Sequence, residues 1–322
     1  MQTASALEDD MKSYIGIDLG GTKIGGILLD KQKKVLASTV VPTNAELGEQ
    51  SVCLQIFSVV DAMVEQAALW ETELDGIGIG VPGAINKEQG MLLYAANLPL
   101  QNFPITALLQ EKYQLRVVLE NDANAAALAE YRFGAGIDSW NMIFVTVSTG
   151  IGAGAVLGGR LYRGATGNAL ELGHITIDKD GPLCDCGNRG CAELYASGCA
   201  IVRNAGAEIK RGALTRLKEE GLTARAVFEA SAAGDVLARK IVKQSLRDLG
   251  AAVSVAAGLF DPDCIVIGGG LAQSGGMLFT EVKMAVKARC LPPVGRNIKI
   301  VPAALQEKAG VYGAAALVMP IE

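Results

Sequence analysis

Short hydrophobic runs, glycine-rich turns and amphipathic stretches alternate along the first half of the chain. Five runs predict strands, at 14–19, 24–29, 35–41, 76–81 and 116–120. A longer amphipathic stretch predicts a helix over about 45–70, and the alanine-rich stretch 123–132 predicts another directly after the fifth strand. Because strands and helices alternate, we expect an α/β fold.

A similar order of strand, glycine corner and strand restarts about 130 residues later. The strands predicted there are 142–147, 155–157, 264–267 and 299–301, and the helices are about 235–258, 271–289 and 310–319. An internal duplication and a chance similarity between two α/β halves both account for this restart. A chain of 322 residues suggests two domains, and without a low-complexity linker we expect them to share a close interface and a cleft.

Composition and charge narrow the class of protein. Hydrophobic residues make up 50% and charged residues 20%, which excludes general disorder. With 34 acidic and 29 basic residues the net charge is −5, and there is no basic run, so neither nucleic acid nor a membrane surface is an expected partner. A small-molecule partner fits this composition better.

The expected compartment is the cytoplasm. Residues 1–13 are acidic and lack the basic and apolar regions of an export signal. The longest uncharged stretch, 142–159, carries five glycines and is interpreted as two buried strands around a turn rather than a membrane span. Seven cysteines in a reducing compartment indicate metal binding or catalysis more often than disulfides.

Three strand ends lead into glycine corners that are suited to phosphate. Their residues are Asp18, Gly20, Gly21, Thr22 and Lys23 at the first, Thr149 and Gly150 at the second, and Gly268 and Gly269 at the third. Glycine lets backbone N–H groups approach an anion, and the threonine hydroxyls add donors without bulk. Asp18 offers a hard oxygen ligand to Mg²⁺, with the Lys23 cation nearby. Ordinary β-hairpins also explain any one corner.

Asp122 opens the predicted helix 123–132, directly after a strand. A helix N-cap would explain an isolated aspartate in this position. However, Asn121 and Asn124 flank it in an alanine-rich run, and the chain offers no His-Ser-Asp set or lone reactive cysteine for a nucleophilic mechanism. A carboxylate within about 3 Å of an alcohol can take its proton as the alcohol attacks phosphorus. Asp122 is therefore the candidate general base of a kinase.

Two common nucleotide-binding motifs are missing or weak. No G-x-x-x-x-G-K-[ST] occurs. The G-x-G-x-x-G at Gly78, Gly80 and Gly83 has Pro82 where its helix should begin, and no acidic residue follows about twenty positions later. A nicotinamide-dependent oxidoreductase is therefore the weaker hypothesis.

The single histidine and three clustered cysteines predict a metal site. The set is His174, Cys184, Cys186 and Cys191, which makes a closed tetrahedral site for structural zinc. Unrelated buried thiols beside a core histidine are the alternative. Glu171 and Glu193 flank the set, and we expect them to accept hydrogen bonds from vicinal hydroxyls of a polyol. The other four cysteines, Cys53, Cys199, Cys264 and Cys290, are interpreted as plain core or surface thiols.

Taken together, these residues resemble the ROK family of bacterial sugar kinases, from Gly16 to about Val318. The resemblance rests on GIDLGGTK at 16–23, GVPG at 80–83, NLP at 97–99, ENDANAAA at 120–127, STGIGAG at 148–154, ELGH at 171–174, CDCGNRGCAE at 184–193 and IGGG at 267–270. It implies an actin-like, ribonuclease-H-like ATPase fold with a cleft between two α/β domains, 1–121 plus about 308–322 and 122–307. It also implies ATP and Mg²⁺ in the cleft, a structural zinc ion in the larger domain, and a homodimer or homotetramer.

The resemblance also implies roles for single residues. Asp122 would be the catalytic base. The sugar ligands would be Gly83, Asn97, Asn121, Glu171, His174 and Glu193, with His174 binding zinc through its other ring nitrogen. The contacts to ATP or its metal would be Asp18, Gly20, Gly21, Thr22, Lys23, Thr149, Gly150, Gly268 and Gly269.

The substrate follows less directly from the resemblance. Ser148 stands where glucokinase-like members often have glycine and where N-acetylmannosamine kinases also have serine, whereas Glu171 favours glucose. We therefore expect an ATP-dependent kinase acting on the 6-hydroxyl of a hexose, glucose first, with an N-acetylmannosamine kinase as the alternative. A non-catalytic sugar sensor is the alternative of another class. Repressors of the family carry a helix-turn-helix domain, for which the 13 residues before the first strand are too few.

Overall fold

Strands and helices follow one another in the order that the hydrophobic pattern predicts. The computed structural model describes residues 11–320, so most of the acidic N-terminal segment lies outside the described residues. The first elements are β1 Lys12–Leu19, β2 Lys23–Asp30, β3 Val35–Pro42, α1 Glu49–Leu69, β4 Glu73–Val81, β5 Ala84–Asn86, β6 Met91–Tyr94, β7 Gln101–Phe103, α2 Ile105–Tyr113, β8 Arg116–Asn121 and α3 Asp122–Phe133. The remaining elements are β9 Met142–Val147, β10 Ile151–Leu157, β11 Arg160–Tyr162, α4 Glu193–Ala196, α5 Gly198–Lys210, α6 Ala224–Ala232, α7 Val236–Phe260, β12 Cys264–Gly268, α8 Met277–Arg289, α9 Pro292–Asn297, β13 Lys299–Pro302 and α10 Ala309–Ala316.

The chain divides into two compact units. The first comprises Met1–Gly134, Leu161–Ala169 and Glu307–Glu322, and the second comprises Ala135–Arg160 and Leu170–Gln306. This division differs from the predicted boundary at 121/122, because helix α3 belongs to the first unit. The reason is its packing on α10: a Cβ on Gly313 would lie 1.9 Å from the carbonyl oxygen of Ala125, and Arg132 donates to the carbonyl of Ala316 at 3.0 Å.

The first unit is built on a five-stranded sheet with the order β3-β2-β1-β4-β8. Alternate residues of β1 face opposite sides, as period-2 alternation requires. Ile15 and Ile17 share a core with α1, whereas Tyr14 shares a smaller core with α10. Helix α10 lies directly on the sheet because β1 and β4 carry glycines there: a Cβ on Gly78 would lie 1.7 Å from the carbonyl oxygen of Ala314. A small antiparallel sheet, β5-β6-β7, is added to this unit.

The second unit repeats the same topology. Its sheet has the order β11-β10-β9-β12-β13, in which β9 pairs antiparallel with β10 and parallel with β12. In the first unit, β1 likewise pairs antiparallel with β2 and parallel with β4. The core of the second unit lies under α7, whose N-cap is Asp235. This identity of strand order and direction favours the internal duplication over a chance similarity.

Helix α1 is the one helix among residues 11–320 that is long and apolar enough, by length and composition, to cross a membrane. Its buried side chains, including Val52, Ile56, Val59 and Met63, belong to the core of the first unit. An apolar stripe that packs on a sheet is typical of the core helix of a globular domain. The helix begins later than predicted, because Gly48, at φ 90°, separates it from a short turn at Ala45–Leu47.

Candidate active site

The first glycine corner is a tight turn whose backbone carbonyls accept hydrogen bonds from Thr43. The N–H of Gly20 donates to the carbonyl of Lys23 at 3.0 Å, and the N–H of Thr43 donates to the carbonyl of Thr22 at 3.0 Å. The hydroxyl of Thr43, a residue with no exposed surface, donates to the carbonyl of Gly20 at 2.6 Å. The buried Thr43 therefore binds two backbone carbonyls of the corner, those of Gly20 and Thr22. Thr43 gives no signal in the sequence, since a threonine directly after a strand belongs to no motif.

The same corner contacts the loop that carries Asn97. A Cβ on Gly21 would lie 2.8 Å from the Cβ of Asn97, so glycine is required for this close approach. Gly83, at φ 84°, lies equally close to the residues before Asn97, because its Cβ would meet the carbonyl oxygen of Tyr94 at 2.2 Å. The structure thus brings together two predicted sugar ligands, Gly83 and Asn97, with the predicted phosphate contact Gly21.

Asp18 is the second-last residue of β1 and lies against the first turn of α10. A Cβ on Gly310 would lie 2.3 Å from its Oδ2, so the carboxylate fills the space over that glycine. Burial, followed by the charge of Asp122, raises the pKa of Asp18 to about 6, and the Lys23 cation opposes the shift. Lys23 itself forms an exposed ion pair with Glu307 at 3.4 Å. A buried carboxylate whose pKa is raised by a second carboxylate is a donor suited to a divalent cation.

Asp122 is the first residue of α3, but the helix cap is Asn121. The Oδ1 of Asn121 accepts hydrogen bonds from the N–H groups of Ala123 and Asn124, at 2.9 and 3.3 Å. Its amide donates to the carbonyl of Gly83 at 3.4 Å. The N-cap alternative for Asp122 is therefore wrong, because its neighbour does the capping. The Oδ1 of Asp122 accepts from the N–H of Ala123 at 2.8 Å.

The second and third glycine corners lie together in the second unit. The first turn of α5 donates to the second corner, from Gly198 N–H to the carbonyl of Ser148 at 2.8 Å and from Cys199 N–H to that of Thr149 at 3.2 Å. Gly269, at φ 85°, lies so close to β9 that a Cβ would stand 2.4 Å from the carbonyl oxygen of Val147. Only a residue without a side chain fits this contact between the corners.

A cavity of about 980 Å³ opens beside these corners. Its walls include Ser148 and Thr149 of the second corner, Gly270 of the third corner, the segment from Gln273 to Gly275, and residues of α5 and α6. Of the third corner, Gly270 lines the cavity, whereas Gly268 packs on Phe144 and Gly269 on Val147. Cys199 is exposed and lines the cavity too, although its sequence context gave no sign of a role.

Two predicted sugar ligands of the second unit, His174 and Glu193, belong to segments that contact Ile151 at the start of β10. The Oε2 of Glu193 accepts from the N–H of Ile151 at 2.8 Å. The turn Leu172–His174 packs on the same residue, since a Cβ on Gly173 would lie 2.4 Å from the carbonyl oxygen of Ile151. Glu171 precedes this turn and is exposed. The backbone of Ile151 thus contacts both Glu193 and the turn that ends at His174.

The predicted metal ligands come together. One donor atom from each of His174, Cys184, Cys186 and Cys191 lies within 4.8 Å of the others. The Nδ1 of His174 is 3.8 Å from the Sγ of Cys184, and the Sγ atoms of Cys186 and Cys191 are 3.6 Å apart. Thiolates about 2.3 Å from one tetrahedral zinc ion stand roughly 3.8 Å from each other, so the donor set fits zinc in type and spacing.

The loop around the cysteines shapes this site. The N–H of Cys184 donates to the carbonyl of Asn188 at 2.7 Å, and the N–H of Gly187, at φ 92°, donates back to Cys184 at 2.9 Å. The backbone of Asn188 lowers the pKa of Cys186, whereas burial raises that of Cys191. A bound dication favours the thiolate form of every cysteine ligand.

Two units with the same sheet order, each with a glycine corner between its first two strands, define the two-domain, actin-like ATPase fold. A family model described as the ROK family matches residues 14–320, and the chain belongs to this family. Both the family and the fold class predicted from the sequence are confirmed.

Named relatives include enzymes and regulators. The chain is 35% identical to a glucokinase from Halalkalibacterium halodurans, over 95% of this chain and 94% of the relative. It is 36% identical to the solved ROK hexokinase from Thermus thermophilus, with a TM-score of 0.81 over 94% of this chain and 97% of that one. A solved ROK family transcriptional regulator, a homologue of the E. coli Mlc protein, is 31% identical with a TM-score of 0.87, over 96% and 78%. The enzymes support an ATP-dependent hexose kinase. Because the regulator is also similar to this chain, a non-catalytic sugar sensor stays the alternative.

Proposed function

We propose that the protein is a glucokinase that transfers the γ-phosphoryl group of ATP to the 6-hydroxyl of glucose. The observation that carries the proposal is the placement of Asp122. It stands in the first turn of α3 without serving as the cap, and its charge reaches Asp18 at the first glycine corner. The first unit therefore combines a carboxylate base with a candidate site for metal and phosphate.

In this reaction the protein mainly positions the reactants and stabilises charge, and it forms no covalent bond with them. Asp122 accepts the proton of the 6-hydroxyl while the oxygen bonds to the γ-phosphorus and the bond from phosphorus to the β-phosphate oxygen breaks, which releases ADP. Backbone N–H groups and threonine hydroxyls of the glycine corners would donate to phosphate oxygens. The cavity beside α5 and α6 has the size and the glycine walls for the rest of the nucleotide.

Asp18 would hold Mg²⁺, directly or through water. Its carboxylate is the hard oxygen ligand that Mg²⁺ prefers, and the nearby charge of Asp122 makes a cation favourable. The ion supplies neutralisation of the phosphate charges. This role explains why an acidic residue stands beside a corner built for anions.

Sugar recognition is divided between two sets of residues. Asn97 and the backbone of Gly83 supply polar groups from the first unit. The side-chain oxygen of Asn121 is occupied by the helix cap, and one of its amide hydrogens is donated to the carbonyl of Gly83. Asn121 therefore has its second amide hydrogen to offer to the sugar. In the second unit Glu193 has Oε2 bound to Ile151, which leaves Oε1 for a sugar hydroxyl. Glu171 offers an exposed carboxylate from the turn before His174.

His174 and the three cysteines would hold a structural zinc ion, which fixes the turn that carries Glu171. The Nδ1 of His174 faces Cys184, so Nε2 is the nitrogen that can meet a sugar hydroxyl. Seven free cysteines fit a reducing, cytoplasmic location. We include a homodimer or homotetramer in this proposal because the chain belongs to the ROK family.

A coupled ADP-release assay with glucose, mannose, N-acetylmannosamine, fructose and xylose tests the function. We expect the highest kcat/KM with glucose. Asp122→Asn should lower kcat by about 10²- to 10⁴-fold while calorimetry still detects glucose binding. Asp261→Asn, in a left-handed position after α7 that asparagine tolerates, is the matched control and should change neither value.

The outcomes separate the alternatives. Preference for N-acetylmannosamine would replace glucose by the amino sugar, and sugar binding without ADP release would establish the sensor. Undiminished turnover in Asp122→Asn would remove the proposed base.

A further inference from the structure

Glu120 carries a fully buried carboxylate two residues before the proposed base. It is the penultimate residue of β8, and its side chain has no exposed surface. Oε2 lies 2.5 Å from the Nε of Arg163 and 3.1 Å from the Nζ of Lys87. Both cations are only about a third exposed, at 33% and 35%. Three separate segments of the first unit thus meet at one carboxylate.

The other oxygen of Glu120 binds the turn that contains Asp122. Oε1 accepts from the N–H of Asn121 at 3.3 Å and from the side-chain amide of Asn124 at 3.1 Å. Asn124 is buried as well. Asp122 therefore stands between two residues that a single carboxylate holds, one on each side along the chain.

Glu120 is ionised at neutral pH. Burial acts to raise its pKa, but the charges of Arg163 and Lys87 outweigh it and lower the pKa below its ordinary value. A buried ion pair adds little net stability compared with apolar side chains of the same shape. The benefit of this network is therefore the geometry that it imposes.

We propose that Glu120, fixed by Arg163 and Lys87, is a positioning residue that holds Asp122 at the angle and distance required to accept the sugar proton. The inference rests on the proposed function and deepens it. Fixed geometry matters here because a displacement of about 1 Å at a reacting group can cost on the order of 100-fold in rate. Glu120 touches neither sugar nor nucleotide in this role, and it acts only through Asn121 and Asn124.

The first test separates turnover from binding. Glu120→Gln keeps the shape but removes the charge, and we expect kcat to fall about 10- to 100-fold. The KM for ATP should stay within about twofold, because the hydrogen-bond partners of Glu120 belong neither to the first glycine corner nor to the cavity wall. Asp75→Asn, which breaks the ion pair with Lys12 at 2.8 Å in the same unit, is the matched control and should leave kcat unchanged.

The second test uses rescue. Arg163→Met should lower kcat as Glu120→Gln does, Arg163→Lys should restore most of it, and the double variant Glu120→Gln/Arg163→Met should lose no more than either single variant. A merely structural role would lower the melting temperature without this pattern in kcat. If Glu120→Gln does not fold, the comparison of Arg163→Lys with Arg163→Met decides the same question.

The failures are distinguishable. A wild-type protein that phosphorylates no sugar overturns the proposed function and the positioning role with it. An active wild-type protein whose folded Glu120→Gln variant keeps full kcat overturns the positioning role alone. Equal losses of kcat in Arg163→Lys and Arg163→Met also overturn it.

Discussion

The carboxylate of Glu193 accepts a hydrogen bond from the backbone N–H of Ile151, with 2.8 Å between Oε2 and N. Ile151 directly follows the second glycine corner, and a Cβ on Gly150 would stand 2.4 Å from the same oxygen. A proposed sugar ligand and a proposed phosphate contact are therefore in direct contact within the second unit. Occupation of one should change the position of the other.

Gly150→Ala tests this contact. The added methyl group must displace the Glu193 carboxylate and weaken its bond to Ile151, so we expect the KM for glucose to rise about tenfold, which corresponds to about 1.4 kcal/mol. Gly258→Ala is the control, because a Cβ on this glycine of α7 meets no atom within 4 Å. Steady-state kinetics measure both, and an unchanged KM in Gly150→Ala would show that Glu193 does not bind the sugar.

Thr43→Val tests the support of the first corner. Valine has the same shape but leaves the carbonyl of Gly20 without its buried donor, a loss of about 1–3 kcal/mol. We expect the KM for ATP to rise about tenfold or more, while Thr43→Ser, which keeps the hydroxyl, stays near the wild type. Equal kinetics for Thr43→Val and the wild type would contradict a role of Thr43 in shaping the corner.

Cys199 reports on the nucleotide cavity. Its thiol is exposed on the cavity wall, so we expect a thiol reagent to modify it and ATP to slow that modification at least severalfold. Glucose alone should give less protection. Cys199→Ala identifies the protected fraction, and mass spectrometry locates the label. Modification of Cys199 at one rate with and without ATP would place the nucleotide elsewhere.

The metal site predicts about one zinc ion per chain by elemental analysis. Cys184→Ser should reduce that content, lower the melting temperature and raise the KM for glucose, since the turn before His174 loses its anchor. Cys53→Ser, on α1, is the control and should retain the metal. A fully active protein without zinc would contradict the structural role.

Asp235 predicts a pH dependence of stability. Burial acts to raise its pKa, but hydrogen bonds from the N–H groups of Ala238 and Arg216 and from Thr215 outweigh it and lower the pKa below 3.8. A carboxyl group with a lowered folded pKa contributes stability above its unfolded pKa and loses it as the pH falls through the folded pKa. We expect Asp235→Asn to melt below the wild type at pH 7, and the difference to shrink from about pH 4 downward. A difference independent of pH would contradict this account.

Periodicity and corner motifs predicted most of the two large sheets. Strands β1 and β9, which lead into the first two corners, are mostly buried and apolar, so their hydrophobic pattern suffices. Strand β10 begins at Ile151 rather than 155, because its glycines weaken the pattern while still pairing with β9. The sheet β5-β6-β7 was missed, since strands of three or four residues show no period.

The candidate site was predicted in part. Asp18, Asp122 and the four predicted metal ligands each lie in a short sequence motif, which can be found without the structure. Thr43 and Arg163 act through contacts with residues far along the chain, at Gly20 and Glu120, which no local pattern reveals. The position of α3 escaped prediction for the same reason, because its partner α10 follows about 180 residues later.

The packing of α10 on β1 and β4 has a consequence for synthesis on the ribosome. Gly16 and Gly78 pack against the helix at 309–316, which leaves the ribosome only after the whole second unit has been translated. Until then one face of the first sheet, with Tyr14 and Leu29, stays uncovered. The part of the protein that is made first thus completes its packing only after the part made last has left the ribosome.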